Sequence, residues 1–316
     1  MPFRSFAALS LLVSAVWAQS SNPYIPSNIT PACSSYLSSL NSNTAFTACT
    51  NPFTTALQQF APNSGATPST AAISIALASL CQSDAFTACP QSTITAQLGD
   101  FYAACPAELT SNPVIVVKTI YDVLYSQVPL RQAMCAKDDS GNYCVTKLSS
   151  SSSSGSVALV DPEKSREQAL LDQYLFTTPG NSLVTRDVSN VTTALVPNIT
   201  TYQNTNLLFL FLKPSMPSST LCTTCTRNIM TPYITFESAC PYAPGLANSL
   251  LLAGQVPLYA NITNICGLSF LNGAVQAAGG LSSGLVSGAA PIAVGQEFSA
   301  AVAAILGIAA FVATSL

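Results

Sequence analysis

Eleven cysteines spread from Cys33 to Cys266 restrict this chain more than any other feature, because each bridge they form ties together positions far apart in sequence. They are Cys33, Cys49, Cys81, Cys89, Cys105, Cys135, Cys144, Cys222, Cys225, Cys240 and Cys266. All are disulfide candidates if the chain folds in an oxidising compartment. The odd total leaves at least one thiol unpaired or shared between molecules. Seven precede the serine run Ser149–Ser154 and four follow it, so the minimal arrangement is three bridges in the first part and two in the second. Zinc is the competing use, but thiolate sites come as paired short spacings, and here only Cys222-Thr-Thr-Cys225 is short. That spacing also fits a thiol-redox motif. Yet Cys222, Cys225, Ile229, Tyr233, Phe236 and Cys240 follow one another at steps of three and four, which places them on one helical stripe and turns the cysteines toward a core.

The termini supply the compartment. Arg4, the apolar stretch Phe6–Val16 and Ala18 read as a secretory signal over residues 1–18, with Gln19 opening the mature chain. At the other end stand small residues at Ser287-Gly288-Ala289, a spacer to Glu297, and the charge-free segment 298–316. That order is the signal for a glycosylphosphatidylinositol (GPI) anchor, in which the tail is removed. Ser287 is the predicted attachment residue, with Gly288 and Ser283 as alternatives. A retained spanning helix would carry lysine or arginine on its cytoplasmic flank, and the chain stops at Leu316 with none. The predicted address is thus the outer face of the plasma membrane or the cell wall.

Between the two signals lie about 270 residues, enough for one large domain or two small ones. Charged residues are 7% of the chain, against about 25% in a typical soluble domain, so solubility must come from neutral polar groups and sugars. Four Asn-Xaa-Ser/Thr sequons, at Asn28, Asn190, Asn198 and Asn261, are N-glycosylation candidates in a secreted chain. The net charge of −3 without a basic cluster excludes nucleic acid as a partner. Histidine is absent, which removes Ser-His-Asp and Cys-His nucleophile pairs and the commonest metal ligand. No catalytic residue, cofactor or metal is implied.

Helical periodicity dominates. Asn112-Pro113 reads as a cap and first-turn proline before the apolar face Val117, Ile120, Leu124 and Val128. The same grammar recurs at Thr67-Pro68 before Ile73, Leu77 and Leu80, and at Asp161-Pro162 before Leu170, Leu171, Tyr174 and Leu175. A further helix runs from Pro257 through Tyr259, Ile262 and Ile265 to a Gly267 cap. Residues 184–202 read as a glycosylated loop, and Leu207–Leu212 as a buried segment of either type. The pentapeptide Ala45-Phe46-Thr47-Ala48-Cys49 recurs as Ala85-Phe86-Thr87-Ala88-Cys89, with Leu57 and Phe60 answered by Leu98 and Phe101, and reads as a duplicated helical hairpin. The expected architecture is mainly α: a disulfide-stapled ectodomain, as one helical domain or as two helical halves at 27–148 and 157–278 joined by the linker 149–156. A Gly/Ser/Ala stalk with the attachment region follows at 279–297.

The segment Cys222-Thr-Thr-Cys225, then Tyr233–Ser249 with Glu237, Cys240 and Pro241-Tyr-Ala-Pro-Gly, and the later Gly273–Gly280 resemble a family of fungal, mainly basidiomycete, GPI-anchored surface proteins defined by a domain of unknown function. The likeness spans nearly the whole mature chain and is most specific in its carboxyl half. It implies a cell-surface, cysteine-rich helical ectodomain and carries over no catalytic residue.

Three functions compete. The first is a non-enzymatic surface or wall protein, tethered to the plasma membrane and in contact with wall polysaccharide. The second is a lipid or sterol binder with a cavity between helices. The third is a wall glycoside hydrolase working through two carboxylates, which needs no histidine, with Asp100, Asp122, Asp138, Asp139 and Glu237 as candidate acids.

Overall fold

The computed structural model describes residues 25–57, 70–82, 87–146, 176–177 and 196–271, and these are mainly helical. The first helices are α1 (Pro31–Asn41), α2 (Thr44–Leu57), α3 (Thr70–Leu80), α4 (Gln91–Ala104) and the twenty-residue α5 (Ile115–Met134). After Met134 come a two-strand pair, β1 (Phe176–Thr177) and β2 (Val196–Pro197), then α6 (Ile199–Thr205), α7 (Ser218–Leu221), α8 (Thr224–Ala239) and α9 (Gln255–Cys266). The helix starts are written locally. Thr30 accepts from the Cys33 amide with Pro31 in the first turn of α1, and Thr223 accepts from the Thr226 amide to open α8. Gly267 ends α9 at φ 90°, a conformation that glycine alone adopts freely.

Helix α5 is the axis of the fold. Val117, Ile120, Leu124 and Val128 are buried as the periodicity predicts, but so are residues on its other sides, among them Tyr121, Asp122, Tyr125, Leu130 and Arg131. A helix buried all round has partners on every face. Here α4 packs on one side and α8 on another. Helix α8 contributes Cys225, Ile229, Tyr233 and Phe236, four members of the predicted stripe, all buried. Cys222 stands outside that helix, capping α7, and is exposed. A run of rings, Tyr36–Phe101–Tyr121–Tyr242–Tyr125–Phe236, threads the interior with centroids 4.9–5.3 Å apart, mostly edge to face. Such pairs add about 0.5–1.5 kcal/mol each beyond burial.

This core takes in residues from both sides of the serine run. The run itself, like the signal, the stalk, the tail, Asp161-Pro162 and its helix, and Thr67-Pro68, lies outside the described residues.

Several details differ from the sequence expectations. Asn112-Pro113 does not open α5: the Asn112 amide closes a π turn on Ala107 at 2.7 Å and the Val114 amide reaches Glu108 at 2.9 Å, so the helix begins at Ile115. Within 184–202, the end is not loop but β2 and the Asn198-capped α6. Helix α9 starts at Gln255 rather than Pro257, and its core face is Leu258 and Ile262, while Tyr259 and Ile265 are exposed. The first copy of the repeat lies inside α2; of the second, Ala85 and Phe86 lie outside the described residues, as does Phe60, and Thr87–Cys89 stand just ahead of α4. Leu98 and Phe101 are buried as expected.

Leu207–Leu212 is a buried 3₁₀ turn, Leu207–Phe209, that leaves through Leu210 and Phe211 at positive φ. Its anchor is Asn206, itself at φ 52°, whose side-chain amide donates to the Leu212 carbonyl at 2.7 Å. A Cβ at Gly254 would run into the Asn206 side-chain oxygen. Asn206 is buried and bonded, so it cannot swing aside freely. Gly254→Ala should lower the unfolding free energy by about 1–3 kcal/mol, measured by urea unfolding; a change inside about 0.5 kcal/mol would mean the Asn206 contact is dispensable.

Candidate functional site

The pairing of cysteines follows from this packing. Cys33–Cys105, Cys49–Cys89 and Cys81–Cys135 close the amino part, Cys222–Cys266 ties α7 to the end of α9, and Cys144–Cys225 joins the two parts across 81 residues of sequence. Cys240 is the free thiol. The three-plus-two arrangement expected from the counts is therefore corrected. The segment after α5 runs along α8, where Asn228 donates to the Lys137 carbonyl at 2.9 Å and Thr224 to the Asp139 carboxylate at 2.8 Å, which carries Cys144 to Cys225. The repeat's two cysteines are bonded to each other. Cys222 and Cys225 sit in different bridges, so this arrangement holds no Cys-X-X-Cys disulfide.

The most elaborate polar cluster surrounds Asp122, at the centre of α5. Its side chain is fully buried and accepts the Tyr242 hydroxyl on one oxygen and the Leu250 and Leu251 amides, at 2.7 and 3.0 Å, on the other. Burial pushes its pKa up to about 6, while the bonds from Tyr242, Leu251, Ser249 and Leu250 pull against that shift. Ser249 in turn accepts the Leu252 amide at 2.8 Å. Nearby, Tyr125 donates to the Cys240 carbonyl at 2.7 Å and Lys118 to the Asn248 carbonyl at 2.8 Å. Each bond links α5 to the chain beyond α8. The cluster's chemistry is that of a clamp: both carboxylate oxygens are engaged, and no solvent reaches the acid.

The other candidate acids are placed apart in role. Glu237 on α8 is half-buried, which raises its pKa, and accepts from Gln255 at 2.8 Å, which lowers it. Asp138 accepts the Ser140 and Asn142 amides at 2.9 Å and shapes a turn that Gly141 completes at φ 81°. Asp139 holds Thr224, and Asp100 is exposed on α4. Four of the five thus serve backbone or side-chain bonds that organise the fold.

Among the described residues, the grouping with metal-ligand chemistry is Cys33, Cys105 and Glu108, whose donor atoms lie within 4.8 Å of one another. The two sulfurs are bonded to each other, and a disulfide sulfur lacks the thiolate charge that zinc requires. Glu108 accepts the Thr30 amide at 2.6 Å, tying the start of α1 to the π turn. These residues do not fit a metal.

Of the sequons, Asn28 is exposed ahead of α1, Asn198 is half-buried and caps α6, and Asn261 lies on α9 with its amide donated to the Pro214 carbonyl. Asn190 and Ser287 lie outside the described residues. The apolar faces Val117, Ile120, Leu124 and Val128 of α5 and Cys225, Ile229, Tyr233 and Phe236 of α8 are buried in the core. Sequence reading missed Tyr242, Ser249 and the two leucine amides. The signal that could have found the clamp is Asp122 itself, a charge set inside Ile120-Tyr-Asp-Val-Leu124, where only a bonded carboxylate is tolerated.

Among the described residues no helix is long and apolar enough to cross a membrane. No curated protein and no solved structure matches the chain. Residues 19–159 match the model of a protein family described as a domain of unknown function (DUF7729), a stretch that holds seven of the eleven cysteines and takes the partner of the seventh, Cys225, from beyond the match.

Proposed function

We propose that this chain is a non-enzymatic glycoprotein of the outer surface of a fungal cell, joined through Ser287 to a GPI anchor and serving wall structure, adhesion or recognition. One observation carries the reading: ten of eleven cysteines are paired in bridges that span the whole described core. Five disulfides persist in an oxidising compartment and fit a secreted or extracellular protein. Asp122, Asp138, Asp139 and Glu237 are engaged in fold-holding bonds, which supports a body built for durability rather than turnover. Contact with wall polysaccharide would run through neutral polar groups, since charge is scarce.

Phosphatidylinositol-specific phospholipase C applied to intact cells should release the protein, and mass spectrometry of the released chain should end at Ser287. A protein that stays on the membrane, or that still ends at Leu316, contradicts the anchor. In the same spectra Asn28, the exposed sequon, should carry glycan, and Asn28→Gln should remove that mass without moving the melting temperature. A bare Asn28 would count against the sugar-coated reading.

A further inference from the structure

Of the ten bonded cysteines, all among the described residues, Cys222 alone is exposed, and its partner Cys266 is half-buried. Three of the other four bridges lie wholly in the core, and the fourth, Cys81–Cys135, joins two half-buried residues. Exposure decides which bridge a thiol in solution reaches, because exchange begins when a thiolate meets a disulfide sulfur.

The exposed bridge also holds the most thinly packed part of the body. Helix α7 has four residues and buries Leu221, while α9 has twelve and buries Gln255, Leu258 and Ile262. Helix α5, by contrast, is buried on every side. An element with few buried apolar side chains opens locally at lower free energy than the core does. Beyond the bridge, this end is held by Gln255 donating to Glu237 at 2.8 Å, by Asn261 donating to the Pro214 carbonyl, and by Arg227, which donates to the Phe270 carbonyl at 3.1 Å. None of these bonds lies between α5 and α8, so cutting the bridge leaves the packing of that pair in place. No internal thiol is placed to cut it. Cys240, the free one, closes the far end of α8, a helix about 24 Å long, and burial raises its pKa, which leaves little thiolate.

We propose that Cys222–Cys266 is a redox-sensitive latch on α9, opened by an external dithiol while the other four bridges stay shut. The thiolate of the dithiol attacks the Cys222 sulfur, the bond to Cys266 breaks, and Cys266 leaves as a thiolate that takes a proton from water. The second thiolate of the dithiol then attacks its own sulfur in the mixed disulfide. Cys222 leaves in turn, and the dithiol closes to a disulfide. Two electrons pass: the dithiol is oxidised and the bridge reduced. Cys225, three residues on in the Cys-Thr-Thr-Cys spacing, is buried and bonded to Cys144, so the opening stops at the first bridge. The latch needs the disulfide-bonded body alone and not the anchor.

The test exposes the native mature protein to dithiothreitol for increasing times, alkylates the freed thiols with a light reagent, then unfolds, reduces and alkylates the rest with a heavy one. Peptide mapping should show Cys222 and Cys266 taking the light label together, at least about tenfold faster than Cys81 and Cys135, with the core bridges later still. At that stage the amides of 255–266 should exchange hydrogen at least about tenfold faster than in the oxidised protein, while those of α5 and α8 keep their rates. The Cys222→Ser, Cys266→Ser double variant should show the same exchange pattern without dithiol. Equal labelling of all five bridges, or Cys81–Cys135 opening first, would overturn the latch. So would an opened bridge that leaves the exchange of α9 unchanged, or a light-labelled Cys144 with Cys222 joined to Cys225, which would make the spacing a shuffling site instead.

Discussion

Asp122→Ala should cost about 3–5 kcal/mol of stability, while Asp122→Asn should cost less than about 1.5 kcal/mol. The asymmetry follows from the clamp. Alanine leaves the Tyr242 hydroxyl and the Leu250 amide without their acceptor, and Leu251 with only its longer 3.3 Å bond to Ser249. Asparagine can still offer its oxygen to the two amides and its NH₂ to the Tyr242 oxygen. Thermal or urea unfolding of the two variants decides it; equal losses would mean that the charge, not the bonding, holds the cluster. A pH dependence goes with this. The folded pKa of about 6 lies above the ordinary aspartate value of 3.8 because the carboxyl is buried, so the folded state holds the proton more tightly. The contribution is fully present below pH 4 and is lost as pH rises through 6, by on the order of 2 kcal/mol. Glu237, also raised, shifts stability in the same direction. The protein should melt several degrees higher at pH 4.5 than at pH 7.5, and Asp122→Asn should remove most of that difference. An unchanged difference in the variant would place the titration elsewhere.

Cleavage of the chain between residues 147 and 195 should leave one species under non-reducing conditions and two under reducing ones, because Cys144–Cys225 spans the cut. Loop-closure entropy for a bridge of this separation is worth about 4–5 kcal/mol. The Cys144→Ser, Cys225→Ser double variant, after the same cut, should lose covalent linkage and unfold at markedly lower urea. If it keeps the stability of the uncut protein, the packing of α5 on α8 holds the parts together without the bridge.

Much of the helical grammar was legible. Val117, Ile120, Leu124 and Val128 were readable because one apolar face at steps of three and four is a local signal, and so was the Gly267 cap. The same periodicity found Cys225, Ile229, Tyr233 and Phe236. It misplaced Cys222, which belongs to the preceding short helix and is held by Cys266. Pairing was not legible, since the partner of Cys144 is set by how 137–143 lies along α8. Nor was the clamp, whose donors are 120 to 129 residues from Asp122 in sequence. Asn112-Pro113 misled because a cap signature and the close of a π turn use the same residue types. The residues that carry the resemblance stand at 222–249 and 273–280, whereas the matched family region stands at 19–159.

The central claim is that a single disulfide-locked helical core joins both parts of the chain. Peptide mapping of the mature protein without reduction, after alkylation of free thiols, tests it most directly. Cys144 should appear linked to Cys225 and Cys222 to Cys266, with Cys240 alone alkylated. Linkage of Cys222 to Cys225, or an alkylated Cys144, would contradict it.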